Sequence, residues 1–251
     1  MKNKTIYKKF PFIFLFFSLS FLCFGQTEQN FSKVQAEDDN KILTKIENFE
    51  NPKIKIPKNL FFFTLGPSVY VNTDRKTSPS PVSFAGGAGF DLFNHKFLNF
   101  QPKLTFFTNY YLWDGEYARP SEIENRTALA LSFLLDLNTT HIFRLEKDIF
   151  QFGGGLGFLA RFSFLANGVN SDDTGGEANS TAGDDIKSIN RWFYKNLNFL
   201  YPNLNFSWQR AFTKNYLAGL EAKVYFPLGA ILDGRAFDTA IFSLGIKISP
   251  R

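Results

Sequence analysis

Seven charged residues of this sequence could form one internal polar network. They are three carboxylates and four cations: Asp91, Asp136 and Glu221, with Lys103, Arg161, Lys223 and Lys247. Glu221 and Lys223 are two residues apart, so on an extended strand their side chains point the same way. Charges of both signs in a narrow interior either pair and hydrogen-bond, or they line a selective conduit. We expect pairing, which makes their role structural.

A second group of acidic residues lies in a segment rich in glycine and serine. Its members are Asp172, Asp173, Glu177, Asp184 and Asp185. Carboxylate oxygens could bind a divalent cation weakly, but the regular spacing of an EF-hand is absent. The alternative is a flexible, hydrated surface loop, which the glycines and serines favour.

The segments that must position these residues alternate with a period of two. The stretch TAIFSLGIKIS at 239–249 shows this best, since apolar residues from Ala240 to Ile248 occupy every second position. Similar alternation begins at Leu60 and recurs to give eight segments, and no helical pattern of comparable length competes with it. The sequence therefore predicts an all-β protein with eight antiparallel strands.

The two faces of these strands differ in size as well as in polarity. The chain has 33 phenylalanines and 44% hydrophobic residues, yet its mean hydropathy is only −0.15, because the apolar residues are interleaved with polar ones. The other face carries glycine, serine and the charges named above. An eight-stranded barrel has an interior just wide enough for side chains to fill, so the phenylalanines must face outward. Such a wide apolar exterior requires a bilayer.

The connections between predicted strands alternate in length. Short ones are expected near 94–97, 143–148 and 212–215, and long ones at 72–81, 113–126, 166–196 and 228–238. Transmembrane barrels have short periplasmic turns and long extracellular loops. The pattern therefore predicts a transmembrane up-and-down antiparallel β-barrel with both termini in the periplasm.

Residues 60–249 resemble the eight-stranded bacterial outer-membrane barrels of the OmpA, OmpX and OmpW kind. The resemblance rests on the strand pattern and on the closing strand, where Phe242, Leu244, Ile246 and Ile248 alternate. Such barrels usually end on an aromatic residue that the insertion machinery reads, whereas this chain ends Ile248-Ser249-Pro250-Arg251. The resemblance implies a location in the cell outer membrane, contact with its lipid and insertion by the barrel-assembly machinery.

The first 58 residues have a different character from the barrel. Four lysines precede an apolar run at 10–24, which predicts a signal peptide at 1–25, a periplasmic tail or linker at 26–58 and the barrel at 59–251. The single cysteine, Cys23, is either removed with the signal or lipidated. The formal charge of +5 falls to +1 without the four signal lysines, which does not favour nucleic acid as a partner.

The predicted location in the outer membrane indicates which functions to expect. We expect a plugged structural or surface-interaction scaffold that uses loop 166–196 toward an extracellular partner, with no cofactor. A narrow channel or transporter for small solutes, apolar ones included, is the alternative, and a soluble lipocalin-like carrier is a further one. A lipid A-modifying enzyme would need a histidine beside a nucleophile near the outer leaflet, but His95 and His141 fall near the periplasmic turns. Two groups of aromatic residues suggest either a belt at the membrane interface or an exposed adhesive patch. The first group is Tyr110, Tyr111 and Trp113, and the second is Trp192, Phe193 and Tyr194.

Overall fold

The computed structural model describes residues 59–73, 80–92, 98–122, 128–145, 147–177, 179–213, 215–235 and 237–250. The predicted signal peptide at 1–25, the predicted tail at 26–58 and the turn residue His95 lie outside these residues. What the sequence predicts for these residues therefore remains an expectation.

The described chain is built mainly from strands that alternate between buried and exposed residues, as the period-two pattern requires. In chain order the strands and helices are β1 Asn59–Tyr70, β2 Val82–Leu92, β3 Leu98–Trp113, β4 Ala118–Ser121, β5 Ala128–Leu145, β6 Asp148–Leu165, α1 Ala182–Tyr194, a 3₁₀ helix Lys195–Leu197, β7 Leu200–Ala211, β8 Tyr216–Tyr225, α2 Leu228–Leu232 and β9 Ile241–Pro250.

Eight of these strands form a closed antiparallel barrel. Each pairs with the next along the chain, except that β3 pairs with β5, and β9 returns to pair with β1. The predicted eight-stranded up-and-down barrel is confirmed. The additional strand β4 pairs only with β3, beside residues 110–113, beyond the last residue of β3 that pairs with β2. It was not predicted, because Ala-Arg-Pro-Ser is short, contains a proline and has no alternating apolar pattern.

The outside of the barrel is apolar, whereas its inside carries the charged and polar residues together with two apolar clusters, one around Phe107, Leu134 and Leu159 and one around Leu60 and Ile149. Phe84 is 74% exposed and Leu65 61%, while Asp91, Asp136 and Lys247 are fully buried. This distribution of charged and apolar residues is the reverse of a soluble barrel and confirms the predicted assignment of the two faces. The expectation that the phenylalanines face outward is wrong for Phe62 and Phe107, which are buried inside the barrel. In the part of the chain that the structure describes, no helix is long and apolar enough to cross a bilayer.

The two ends of the barrel carry different connections. We name the end with connections 93–97, 146–147 and 212–215 the turn end, and the end with connections 71–81, 114–127, 166–199 and 226–240 the loop end. The helices among the described residues and β4 all lie in loop-end connections, so the long connection at 166–199 contains a helix and is not the flexible, hydrated surface loop that its glycines and serines favoured. The strands are also unequal: β5 and β6 have 18 residues each, whereas β8 and β9 have 10 each.

Candidate functional site

Near the turn end the lumen holds a small apolar cluster, Leu60, Ile142, Ile149 and Leu217, and next to it a polar layer around Asp91. Its Oδ2 accepts a hydrogen bond from Nζ of Lys247 at 2.7 Å, and its Oδ1 accepts from the side-chain amides of Asn99 at 2.6 Å and Gln101 at 2.7 Å. Lys247 also donates to Oε1 of Gln151 at 3.1 Å. A buried ion pair is tolerated when further hydrogen bonds satisfy its remaining atoms, and this layer meets that condition.

A second layer of charges lies further up the lumen. Lys223 donates to Oδ2 of Asp136 at 2.8 Å and lies 4.0 Å from Oε1 of Glu221, which is also paired with Lys103. The hydroxyl of Tyr225 donates to Asp136 at 2.8 Å. Positive and negative groups therefore alternate across three strands, β3, β5 and β8, and hold the barrel walls together from within.

The walls leave little free volume beside these charges. A cavity of about 10 Å³ lies among Thr64, Thr105, Ser243 and the Lys103–Glu221 pair. A volume of this size holds about one water molecule. On β6, a Cβ at Gly155 would collide with the carbonyl oxygen of Leu137, so the strands there approach too closely for any side chain.

Arg161 is buried in a different way from the lysines. Its Nη1 donates to the hydroxyl of Tyr111 at 3.2 Å and its Nη2 to the carbonyl oxygen of Asn198 at 2.8 Å. Its guanidinium carbon lies 4.2 Å from the ring centre of Phe193 and 5.7 Å from that of Trp192. A desolvated guanidinium over aromatic faces gains a cation–π attraction, which ties β6 to the end of α1.

Helix α1 closes the lumen above Arg161. Thr181 caps the helix by accepting a hydrogen bond from the backbone N–H of Asp184 at 3.3 Å, and acidic residues in the first turn complement the helix dipole. Its buried face carries Ile189, Trp192 and Phe193, which pack against residues of β3, β4 and β5: Tyr111, Ala118, Ala128 and Ala130. Three small alanines leave room for the two large rings, so α1 acts as an aromatic plug.

The same helix also covers an exposed edge of the barrel wall. β7 pairs with β6 only as far as Phe158, so the β6 backbone beyond that point lacks a strand partner on this side. The hydroxyl of Tyr194 donates to the carbonyl oxygen of Arg161 at 2.7 Å and accepts from its N–H at 3.1 Å. Asn190 accepts from the N–H of Ser163 at 2.9 Å and donates to its carbonyl oxygen at 3.3 Å. Side chains one helical turn apart thus serve backbone groups two residues apart, which covers an unpaired edge.

Replacing Asn190 by alanine should release this part of the edge. We expect backbone hydrogen exchange at Ser163 to accelerate about fivefold, because a hydrogen bond of this kind contributes about 1 kcal/mol. Lys187→Ala, on the exposed face of the same helix, is the matched control and should leave that exchange rate unchanged. An unchanged rate in Asn190→Ala would contradict the assigned role.

The structure places all seven predicted lumen residues inside the barrel. Six of them form the two ion-pair layers, and Arg161 joins the plug. The alternation places Gln101 and Gln151 on the inward face without identifying them as partners of the charges, and it does not single out Asn99 and Tyr225, although both occupy the polar parity of their strands. Trp192 and Phe193 form neither an interfacial belt nor an adhesive patch, because both are buried in the mouth of the barrel.

The five carboxylates of the acidic segment have separate partners. Asp173 accepts from the N–H of Asn170, Glu177 from the indole N–H of Trp113, and Asp185 from the N–H of Gly176. Asp172 accepts from the hydroxyl of Ser171, and Asp184 from Nζ of Lys187. Among the described residues no group of three or more histidine, cysteine or acidic side chains could hold a metal ion. The segment instead folds on itself around the start of α1.

A closed, up-and-down barrel with an apolar exterior and a polar, filled interior is the architecture of the small outer-membrane β-barrels. The predicted outer-membrane location agrees with this architecture. No protein-family model matches the chain, and no curated protein matches it.

Several solved structures are similar to it in fold. They include Neisserial surface protein A, with 10% identity and a TM-score of 0.46, covering 77% of this chain and 97% of that one. Ail of Yersinia pestis has 8% identity and a TM-score of 0.39, covering 76% and 96%. The N-terminal barrel domain of Pseudomonas aeruginosa OprF has 11% identity and a TM-score of 0.39, covering 77% and 96%.

Proposed function

We propose that this protein is a non-conducting, non-enzymatic outer-membrane scaffold that holds a structured surface at its loop end. One observation carries the proposal: the lumen is filled at successive levels, by the Asp91 layer, by the Lys103–Glu221 and Lys223–Asp136 pairs, by the apolar cluster that includes Phe107, Leu134 and Leu159, and by α1. A solute would have to break buried ion pairs and displace an aromatic plug, each of which opposes passage.

The partners proposed for this scaffold follow from its surfaces. Outer-membrane lipid covers the exposed phenylalanines and leucines of the wall, and the barrel-assembly machinery inserts the chain, as it does other barrels of this class. The loop end, with its ordered 166–199 connection, faces outward and meets an extracellular partner. His141 lies on β5 near the turn end, so in this orientation it is remote from the outer leaflet.

Planar-bilayer recording with the purified protein tests the proposal. We expect no steady current steps, while an open general porin reconstituted in the same way conducts. The variant Trp192→Ala/Phe193→Ala should also stay silent, because two ion-pair layers remain below the plug. Steady steps from the unaltered protein would show a channel, and steps from the plug variant alone would show a gated one; either result overturns the scaffold proposal.

A further inference from the structure

A pocket at the loop end is formed by three separate connections. It has a volume of about 250 Å³ and is lined by residues of the β3–β4 turn, the end of α1 with the 3₁₀ segment, and the residue after α2: Glu116, Tyr117, Trp192, Lys195, Asn196, Asn198 and Asp233. Because three connections contribute its lining residues, the pocket exists only when the whole loop end is folded.

The aromatic side of the pocket is held by Arg235. Its guanidinium carbon lies 4.4 Å from the ring centre of Tyr117 and 5.5 Å from that of Trp192, which links two of the connections. Its Nη1 donates to Oδ2 of Asp238 at 3.1 Å, and its Nη2 lies 3.6 Å from Oδ2 of Asp233. A planar guanidinium suits stacking on rings together with pairing to carboxylates. The position of Tyr117 is therefore set before any ligand arrives.

The turn that carries Glu116 and Tyr117 is fixed by Asp114. This carboxylate accepts hydrogen bonds from the N–H groups of Tyr117 at 2.7 Å and Glu116 at 3.0 Å, and it pairs with Arg119. Burial raises the pKa of Asp114, but these hydrogen bonds outweigh that effect and leave the pKa below its ordinary value. The charge that holds the turn is thus retained well into the acidic range.

The side of the pocket opposite Tyr117 is formed by strained backbone. Asn196 has φ 51° and ψ 38° and Leu197 has φ 61°, in the left-handed region that asparagine tolerates and leucine does not favour. Asn198 is buried and fixed by a hydrogen bond from its Nδ2 to the carbonyl oxygen of Trp192 at 3.0 Å. The Nδ2 of Asn196 reaches Oδ1 of Asp233 at 3.4 Å. The polar groups on this side are therefore positioned by the fold as well.

The chemistry of the lining narrows the class of ligand. Glu116 and Asp233 supply carboxylate acceptors, Lys195 an ammonium donor, and Asn196 an amide that can do both. Two carboxylates oppose a simple anion, and the stacked Arg235 already occupies a face of Tyr117, which opposes a cation bound over that ring. A molecule with many uncharged hydroxyl groups satisfies donors and acceptors together.

We propose that this pocket binds one terminal sugar of an uncharged glycan. Pockets for drug-sized ligands have volumes of about 300–1,000 Å³, and this pocket is smaller. Its size fits a single sugar ring and leaves the rest of a glycan in solvent. Glu116 and Asp233 accept hydrogen bonds from sugar hydroxyls, Lys195 and Asn196 donate to them, and Trp192 borders the ring. The inference rests on the proposed function in one respect, namely that the loop end faces outward.

Saturation-transfer NMR with the full mature chain tests the inference. The protein is kept in a detergent without a sugar headgroup, and the probes are glucose, galactose, mannose and N-acetylglucosamine. We expect saturable binding of at least one probe. Glu116→Ala and Lys195→Ala should each weaken that binding about fivefold through loss of one hydrogen bond. Lys187→Ala, exposed on α1 outside the pocket, should not change it.

Folding of each variant is checked by its heat-modifiable migration, so that lost binding is not mistaken for lost structure. The inference is overturned if no probe saturates, if Glu116→Ala and Lys195→Ala bind as well as the unaltered chain, or if inorganic phosphate, calcium or glycine occupies the pocket in preference to the sugars. If the protein conducts no current and binds no sugar, only the sugar-binding inference is refuted. If it binds sugar and also forms steady channels, only the proposed scaffold function is refuted.

Discussion

Replacing Lys247 by methionine should lower the free energy of unfolding by about 3–5 kcal/mol, because it leaves the Asp91 carboxylate buried without its cation. Lys247 donates to Asp91 at 2.7 Å, and both side chains are fully buried. Methionine has a similar length, so the change removes the charge with little change of volume. Urea unfolding in lipid vesicles, followed by tryptophan fluorescence and by gel mobility, measures the effect.

The double variant Asp91→Asn/Lys247→Met is the control for this prediction. It removes both charges and keeps an acceptor for the amides of Asn99 and Gln101, so we expect it to recover most of the lost stability. A single variant as stable as the unaltered chain, or a double variant no better than the single one, would show that the pair does not stabilise the barrel.

Replacing Phe193 by alanine should detach the plug while leaving the barrel closed. Phe193 is completely buried between Tyr111 and Arg161, and removing such a ring costs about 3–5 kcal/mol. We expect trypsin to cut after Lys187 or Arg191 in α1, or after Lys195 just beyond it, at least about a hundredfold faster, since cleavage follows the population of the open helix. Mass spectrometry of the fragments measures the rate at these bonds.

Phe237→Ala is the matched substitution, because Phe237 lies at the same end of the barrel but is 57% exposed. It should leave the cleavage of α1 unchanged. Heat-modifiable migration should be preserved in both variants, which separates a local opening of the plug from global unfolding. Cleavage of Phe193→Ala at the rate of the unaltered protein would contradict the plug.

The barrel was predictable from the sequence because a period of two leaves each strand only two faces. Because the many large apolar residues of one face could not all fit inside a barrel of eight strands, the opposite face, with Asp91, Asp136 and Glu221, had to be the inner one. Their partners did not follow, because Lys103 and Glu221 are 118 residues apart and meet only through the register of several strand pairs. Alternation gives the face of a residue, while register gives its level in the lumen.

Helix α1 was missed although its signals are present. Thr181 with Asp184 marks a capped start, and Ile186, Ile189 and Phe193 recur at helical spacing. The glycines and serines just before it favoured an irregular loop, and thirteen residues are few beside eight strands. The plug itself also depends on Ala118, Ala128 and Ala130, whose small size acquires meaning only when three strands bring them together.

The unequal strand lengths have a consequence for how the protein sits in lipid. On β6 the outward apolar residues run from Phe150 to Phe164, about 45 Å along the strand, whereas on β9 they run from Phe242 to Ile248, about 20 Å, at about 3.3 Å per residue. A flat hydrocarbon layer of uniform thickness cannot match both sides. The cylinder must therefore lean, or the bilayer must thin beside β8 and β9. Either distortion gives the barrel a preferred orientation, about its own axis, relative to neighbouring lipids. The same asymmetry orients the barrel relative to membrane regions of different thickness.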